Sequence, residues 1–352
     1  MAAPPQGRCD RGGIVLSLDM DNAGSRSPGA AVVVDLFSDV RPDLERVEQE
    51  LYDRLHSNRR FLLELATHLV RGGGKRLRPA LVLQTARIFT DGLARVIPVA
   101  AAVEMIHMAT LIHDDVVDDS DLRRGLPTVN AKWGSGVSVL LGDYLFARAF
   151  SILAETGDNE VVRIMADVVF LMAEGELEHS VETFDTERGE ARYLEHIDKK
   201  TAVFIGECCR LGGLLGGAEP PVVEALHRYG RSLGMAFQIV DDILDFSGSA
   251  RELGKPPGTD LQSGVITLPV LYALRSEPHG SELRALIEQR FDDGPAVAKA
   301  VALVRASGAL EASYRAAMGY IEEAKRMLEQ LPPGGATERL RQIADYVASR
   351  RS

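Results

Sequence analysis

From Pro42 onward, apolar residues return along the chain at intervals of three and four. Leu44, Val47, Leu51 and Leu55 form the first such stripe, the spacing that gathers side chains on one face of an α-helix. Gly72, Gly73 and Gly74 break the pattern before Lys75-Arg76-Leu77-Arg78-Pro79. A new helix is predicted from there to about Phe89, since proline is well tolerated in a first turn. Residues 96–119 are apolar nearly all round, which predicts a helix buried in the middle of the fold. A polar loop follows over 121–130. Further helices are predicted at about 134–155, 159–183, 190–209, 222–247, 265–275, 281–291, 294–306, 308–330 and 336–349. No alternation of period two lasts long enough to suggest a sheet. The pattern is therefore all-α. It reads as one domain over 39–352, without internal linker or repeat, preceded by a flexible tail over 1–38.

Composition agrees with a helical reading, because aromatics make up only 6% and Gly and Pro fall mostly between the periodic segments. At 352 residues the chain can bury a sizeable core. A formal net charge of −11 argues against nucleic acid as the main partner, since phosphate backbones call for a basic surface. The three cysteines are too few for a disulfide framework, and Cys208 and Cys209 are adjacent, a poor geometry for a bridge. A reducing, cytoplasmic compartment is expected. No uncharged apolar stretch reaches about 18 residues, so no transmembrane helix is expected. Asp10, Arg11, Asp19 and Asp21 spoil the layout of a signal peptide.

The candidate chemistry lies in two Asp-Asp-x-x-Asp clusters: Asp114, Asp115 and Asp118, then Asp241, Asp242 and Asp245. On a helix, positions i and i+4 share a face, so each cluster aims two carboxylates the same way. One such cluster alone reads as a solvated acidic face. Here both close long apolar helices, which places acids at the rim of the interior, where burial without cations is costly. Hard oxygen ligands with room to spare suit Mg²⁺, which keeps waters and bridges carboxylates to substrate phosphates.

Cationic candidates flank the acids. The glycine-rich turn leading into Lys75 and Arg78 offers backbone N–H groups and guanidinium forks that suit a diphosphate. Arg123 and Arg124 follow the first cluster closely, within reach of the far oxygens of a diphosphate bound there. His107 lies about two helical turns before Asp114, on the same side, and is a candidate ligand. Lys200 and Thr201 are weak signals by themselves. Gln238 precedes Asp241 by three residues and projects into the same space.

Taken in order, Gly-Gly-Lys-Arg-Leu-Arg-Pro, His-Asp-Asp-Val-Val-Asp-Asp-Ser-Asp-Leu-Arg-Arg-Gly, Gly142-Asp143, Lys200-Thr201 and Phe237-Gln238-Ile239-Val240-Asp241-Asp242-Ile243-Leu244-Asp245 resemble the trans-isoprenyl diphosphate synthases. The match runs from about residue 40 to the C-terminus. The resemblance implies an antiparallel helical bundle around a deep central cavity, with the two clusters on opposite walls at its mouth. It implies three Mg²⁺ ions, with Asp114 and Asp118 binding two and Asp241 the third, while Asp115, Asp242 and Asp245 act through waters and supporting bonds. Arg123, Lys200 and Lys255 would hold an allylic diphosphate. Lys75, Arg78, His107 and Arg124 would hold isopentenyl diphosphate, and Thr201 and Gln238 would steady the allylic cation. One departure stands out: Val265 takes the place of a lysine that touches the allylic diphosphate in many relatives.

Product length follows from what lies beneath the first cluster. Thr110 and Ala109, four and five residues upstream of Asp114, are small where short-chain relatives carry bulky aromatics. A long-chain product of about seven to ten isoprene units is expected, for instance for the side chain of a quinone such as menaquinone. The alternatives are a geranylgeranyl or farnesyl synthase, a class I terpene cyclase, or a non-catalytic synthase subunit. Cyclases usually replace the second cluster, and silent subunits tend to lose one; this chain keeps both. The resemblance also suggests a homodimer, with transient membrane contact for release of a greasy product.

Overall fold

The computed structural model describes residues 36–56, 59–71, 76–123, 125–248, 256–291 and 294–350. Helices α1 (Arg41–Leu55), α2 (Arg60–Arg71) and α3 (Leu77–Ala86) lead into the central α4 (Val96–Val117). A hairpin of two short strands, β1 (Leu122–Arg123) and β2 (Leu126–Pro127), pairs Leu122 with Pro127 and Arg123 with Leu126. Then come α5 (Val129–Trp133), α6 (Ser135–Glu155), α7 (Asn159–Ser180) and α8 (Glu190–Ile197). One π-helical turn, Asp198–Ala202, joins α8 to α9 (Val203–Gly216), and α10 (Pro220–Ser247) follows. The remainder is α11 (Thr259–Gln262), α12 (Leu268–Leu274), α13 (His279–Glu288), α14 (Gly294–Ala306), α15 (Ala309–Leu328) and α16 (Gly335–Ser349).

Local chemistry sets many of these boundaries. The Thr128 hydroxyl caps α5 by accepting from Ala131 N at 3.0 Å, and Asp158 caps α7 by accepting from Glu160 N at 2.8 Å. Prolines open α1, α10 and α12, where a missing N–H costs nothing. Gly217, in the left-handed region, closes α9.

The all-α reading holds, with three local corrections. The expected loop over 121–130 contains the hairpin and α5; strands of two residues are too short to show alternation. The helix expected over 190–209 runs on to Gly216, interrupted by the π turn. The helix expected from 265 begins at Leu268, because Gly264 takes a positive φ and ends the preceding turn.

Two apolar cores carry the fold. The larger gathers α1–α4, α6, α7, α9 and α16 with one end each of α10 and α15; the smaller gathers α8 and α11–α14 around their other ends. Residues 99–103 of α4 are fully buried, as the pattern required. The one charge on that stretch, Glu104, receives Arg76 Nη1 at 2.7 Å, and Arg76 also reaches Glu48 at 3.3 Å, tying α1, α3 and α4 together. By length and composition both α4 and α6 could cross a membrane. Of their apolar windows, 72% of that in α4 is buried but only 39% of that in α6, so α6 keeps an apolar outer face.

Candidate active site

Both acid clusters sit where a helix ends, in the last turns of α4 and α10. The helix dipole is negative there, so carboxylates add to a potential already unfavourable to them. Burial raises the cost further. Asp114 is pushed up to about 6, first by burial, with Glu176 and Asp118 adding to the shift while Lys200 and Arg123 oppose it. Asp115 is buried beside it and also raised by burial, although Arg123 Nε donates to its Oδ1 at 2.7 Å. Asp118, the cap residue of α4, is exposed. The hairpin thus has a purpose: its β1 strand carries Arg123 back onto the helix that precedes it.

The second cluster is more deeply set. Asp242 is buried and accepts from Tyr193 Oη at 2.7 Å and Gln238 Nε2 at 3.0 Å. Burial outweighs these two bonds and raises it to about 7. Asp245 is buried as well; its Oδ2 lies 3.4 Å from Asp260 N, and its carbonyl accepts from Gly258 N at 3.0 Å. It therefore holds the start of α11 against the end of α10. Asp241 remains half-buried, with Arg350 Nη2 at 2.8 Å from Oδ1.

The π turn connects the two clusters. A π turn inserts one residue into a helix and redirects its neighbours, and such turns recur at functional sites. Lys200 pairs with Glu176 of α7 at 2.7 Å and interacts electrostatically with Asp114 and Asp118. Its neighbour Thr201 donates to Gln238 Oε1 at 2.9 Å, and so joins the chain of bonds ending on Asp242. Two adjacent residues thus serve opposite clusters. The turn sits close against α10, where a Cβ on Gly234 would lie 2.6 Å from Ala202 Cα.

Of the remaining candidates, Arg78 donates to His107 Nε2 at 3.1 Å and lies 4.9 Å over the Phe204 ring. That lone pair of His107 is committed to Arg78, so the imidazole belongs with the basic group rather than with a metal. A cavity of about 90 Å³ beside α4 is lined by His107, Met108, Leu111, Asp115 and Arg123, which places His107 and Arg123 on one pocket. Ala109 is fully buried in α4. Thr110 is half-buried, its hydroxyl donating to the His107 carbonyl at 2.8 Å. Lys75, Arg124 and Lys255 lie outside the described residues.

Sequence reasoning missed Tyr193, Glu176 and Arg350. None belongs to a motif, and each meets the site through a partner on a different element: Tyr193 through Asp242, Glu176 through Lys200 and Arg350 through Asp241. In the structure Glu174 and Glu178, its neighbours on α7, are drawn onto Lys199, whereas Glu176 meets Lys200.

Among the described residues, no three His, Cys, Asp or Glu side chains converge to enclose a metal ion. The donors still fit a hard cation: Mg²⁺ is commonly held by one or two carboxylates and completed by waters and substrate phosphates. The raised values of Asp114 and Asp242 fit this as well, since a bound cation would favour their charged forms.

Fold and site together define an all-α enzyme of diphosphate chemistry. The chain belongs to the polyprenyl synthetase family, whose sequence profile matches residues 59–304. It is 41% identical over 315 residues to the heptaprenyl diphosphate synthase component 2 of Geobacillus stearothermophilus, covering 90% of this chain and 98% of that one. It is 41% identical over 313 residues to the nonaprenyl diphosphate synthase of Mycobacterium tuberculosis, covering 88% and 93%. Among solved structures, it resembles a polyprenyl synthase from Caulobacter crescentus complexed with calcium and isoprenyl diphosphate. The TM-score is 0.85 at 38% identity, over 93% of this chain and 100% of that one.

Proposed function

We propose that the chain condenses isopentenyl diphosphate with an allylic diphosphate, with Mg²⁺, to give an all-trans polyprenyl diphosphate of about seven to ten units. The observation that carries this reading is the π turn, whose adjacent Lys200 and Thr201 serve the two acid clusters separately. Two acid clusters with a lysine beside the first suit a leaving diphosphate and its metal better than they suit any neutral substrate. Long-chain products are named for both curated relatives. The calcium in the Caulobacter complex supports a divalent ion, and Asp114, Asp118 and Asp241 would hold up to three.

When bound, the metal neutralises charge developing on the departing diphosphate. Lys200, already beside Asp114, adds a cation on the same side, with Lys255 and Arg123 as further diphosphate contacts. Thr201 gives its proton to Gln238, which leaves only lone pairs on Oγ1 for an allylic cation. Gln238 is turned the same way, because its amide N–H is held by Asp242. Arg78, braced by His107 and Phe204, would grip isopentenyl diphosphate together with Lys75 and Arg124. Helical walls keep the cation away from water.

The long product is supported by the size of Ala109, a small side chain fully buried in α4 five residues before Asp114, where a bulky one would be needed to stop growth. Ala109→Phe should shorten the product by several isoprene units; an unchanged product ladder on chromatography would remove Ala109 from the floor. The reading as a whole is tested by incubating purified chain with labelled isopentenyl diphosphate, Mg²⁺ and each allylic primer, then sizing the products. Pyrophosphate release that does not depend on isopentenyl diphosphate would overturn it in favour of a cyclase.

The assembly we favour is a homodimer in the cytoplasm, made through the apolar outer faces of α6 and α7 and feeding a quinone side chain, with brief membrane contact for product release. Leu140, Phe170 and Leu177 stand exposed on those faces. The Geobacillus relative is named a component, so a different partner chain on the same faces is the second reading.

A further inference from the structure

The last described residue of the chain reaches the second acid cluster. Helix α16 packs against α3, α10 and α15, and its end is held in place. Tyr229 Oη donates to the Leu340 carbonyl at 2.8 Å, Tyr314 Oη to the Ala348 carbonyl at 2.6 Å, and Lys325 pairs with Asp345 at 2.7 Å. Arg350 follows directly. Its Nη2 lies 2.8 Å from Asp241 Oδ1, and its guanidinium carbon stands 4.8 Å from the centre of the Phe237 ring. Phe237 and Asp241 are one turn apart on α10, so the guanidinium lies along that face with a carboxylate at one end and an aromatic surface beneath. Its side chain keeps only 20% of its exposure.

Asp241 is also the second-cluster residue best placed to meet a divalent ion. Asp242 is engaged by Tyr193 and Gln238, and Asp245 is turned to the first turn of α11. A guanidinium and a divalent cation at the same carboxylate repel each other, so one weakens the hold of the other. We propose that Arg350 is an internal counter-ion that stands in for metal at Asp241, and that loading the site with metal and diphosphate releases the C-terminal turn. The inference rests on Asp241 being a metal ligand. Coupling of this kind is reciprocal: whatever factor Arg350 takes from metal affinity, metal takes from the docking of Arg350.

Calorimetry on the full chain with Mg²⁺ and inorganic pyrophosphate tests this without turnover. Arg350→Gln should bind about fivefold more tightly than wild type, as expected for loss of one partly buried ion pair. Arg350→Lys, which keeps charge but loses the planar stack, should fall between them. Arg341→Gln, a charge removed elsewhere on α16, should match wild type. In wild type, trypsin should clip after Arg350 faster once Mg²⁺ and pyrophosphate are present, as followed by intact mass. Equal affinities for Arg350→Gln and wild type would overturn the inference and leave the metal reading intact. Weaker binding by Arg350→Gln would overturn it too, since Arg350 would then be part of the diphosphate grip. Failure of wild type to bind at all would remove the metal reading of Asp241 and the inference together.

Discussion

Asp242 shows how one residue couples the site to stability. Burial holds its folded value near 7, whereas an unfolded aspartate titrates near 3.9. Between those values the folded chain binds a proton that the unfolded chain has lost. Stability must therefore fall as pH rises through that window, at up to about 1.4 kcal/mol per pH unit. Asp242→Asn removes the titration but not the rest of the site; Asp114, held near 6, acts in both proteins alike and cancels. In chelator, the melting temperature of the variant should gain on that of wild type between about pH 4 and pH 7. A difference that stays constant across that range would show that Asp242 does not titrate there. Metal binding would answer to pH in the opposite sense: protons compete for Asp114, so Mg²⁺ demand should grow toward acid pH.

Among elements, the π turn does the most with the fewest residues, and Gly234 is what lets it sit where it does. Adding a methyl group there would drive α10 against the Ala202 backbone. Gly234→Ala should cost about 1–3 kcal/mol in urea unfolding and lower kcat by at least about tenfold through misplaced Lys200 and Thr201. Loss of stability with unchanged kcat would show that the turn is only structural. Elements of this kind mark the limit of what the sequence discloses. The long helices were legible because apolar periodicity accumulates over many turns, and the aspartates because their spacing repeats on two of those helices. The π turn was not, since one inserted residue leaves the apolar rhythm on either side intact. Nor was the hairpin that returns Arg123 to Asp115, because four paired residues carry no period. Tyr193 and Arg350 were invisible for a different reason: their partners are set by packing across the molecule, not by spacing along it.

For the whole molecule, the faces left uncovered matter as much as the site. Leu140 is 69% exposed on α6 and Phe170 is 62% exposed on α7, an apolar surface of the kind that marks an interface. Leu140→Glu should convert a dimer to a monomer in sedimentation velocity. A wild-type chain that already sediments as a monomer would leave these faces to another partner. The interior has its own consequence. Helix α10 belongs to both apolar cores, with Ala225, Leu226, Tyr229 and Leu233 in the larger and Ile239, Val240, Ile243 and Phe246 in the smaller, and α15 crosses between the same two. Neither core can open without stripping packing from the helices that order the other. The first aspartates stand on one core and the second on the other, so the two clusters are lost together in unfolding. A partly melted chain that keeps one acid cluster and loses the other has nothing to hold it.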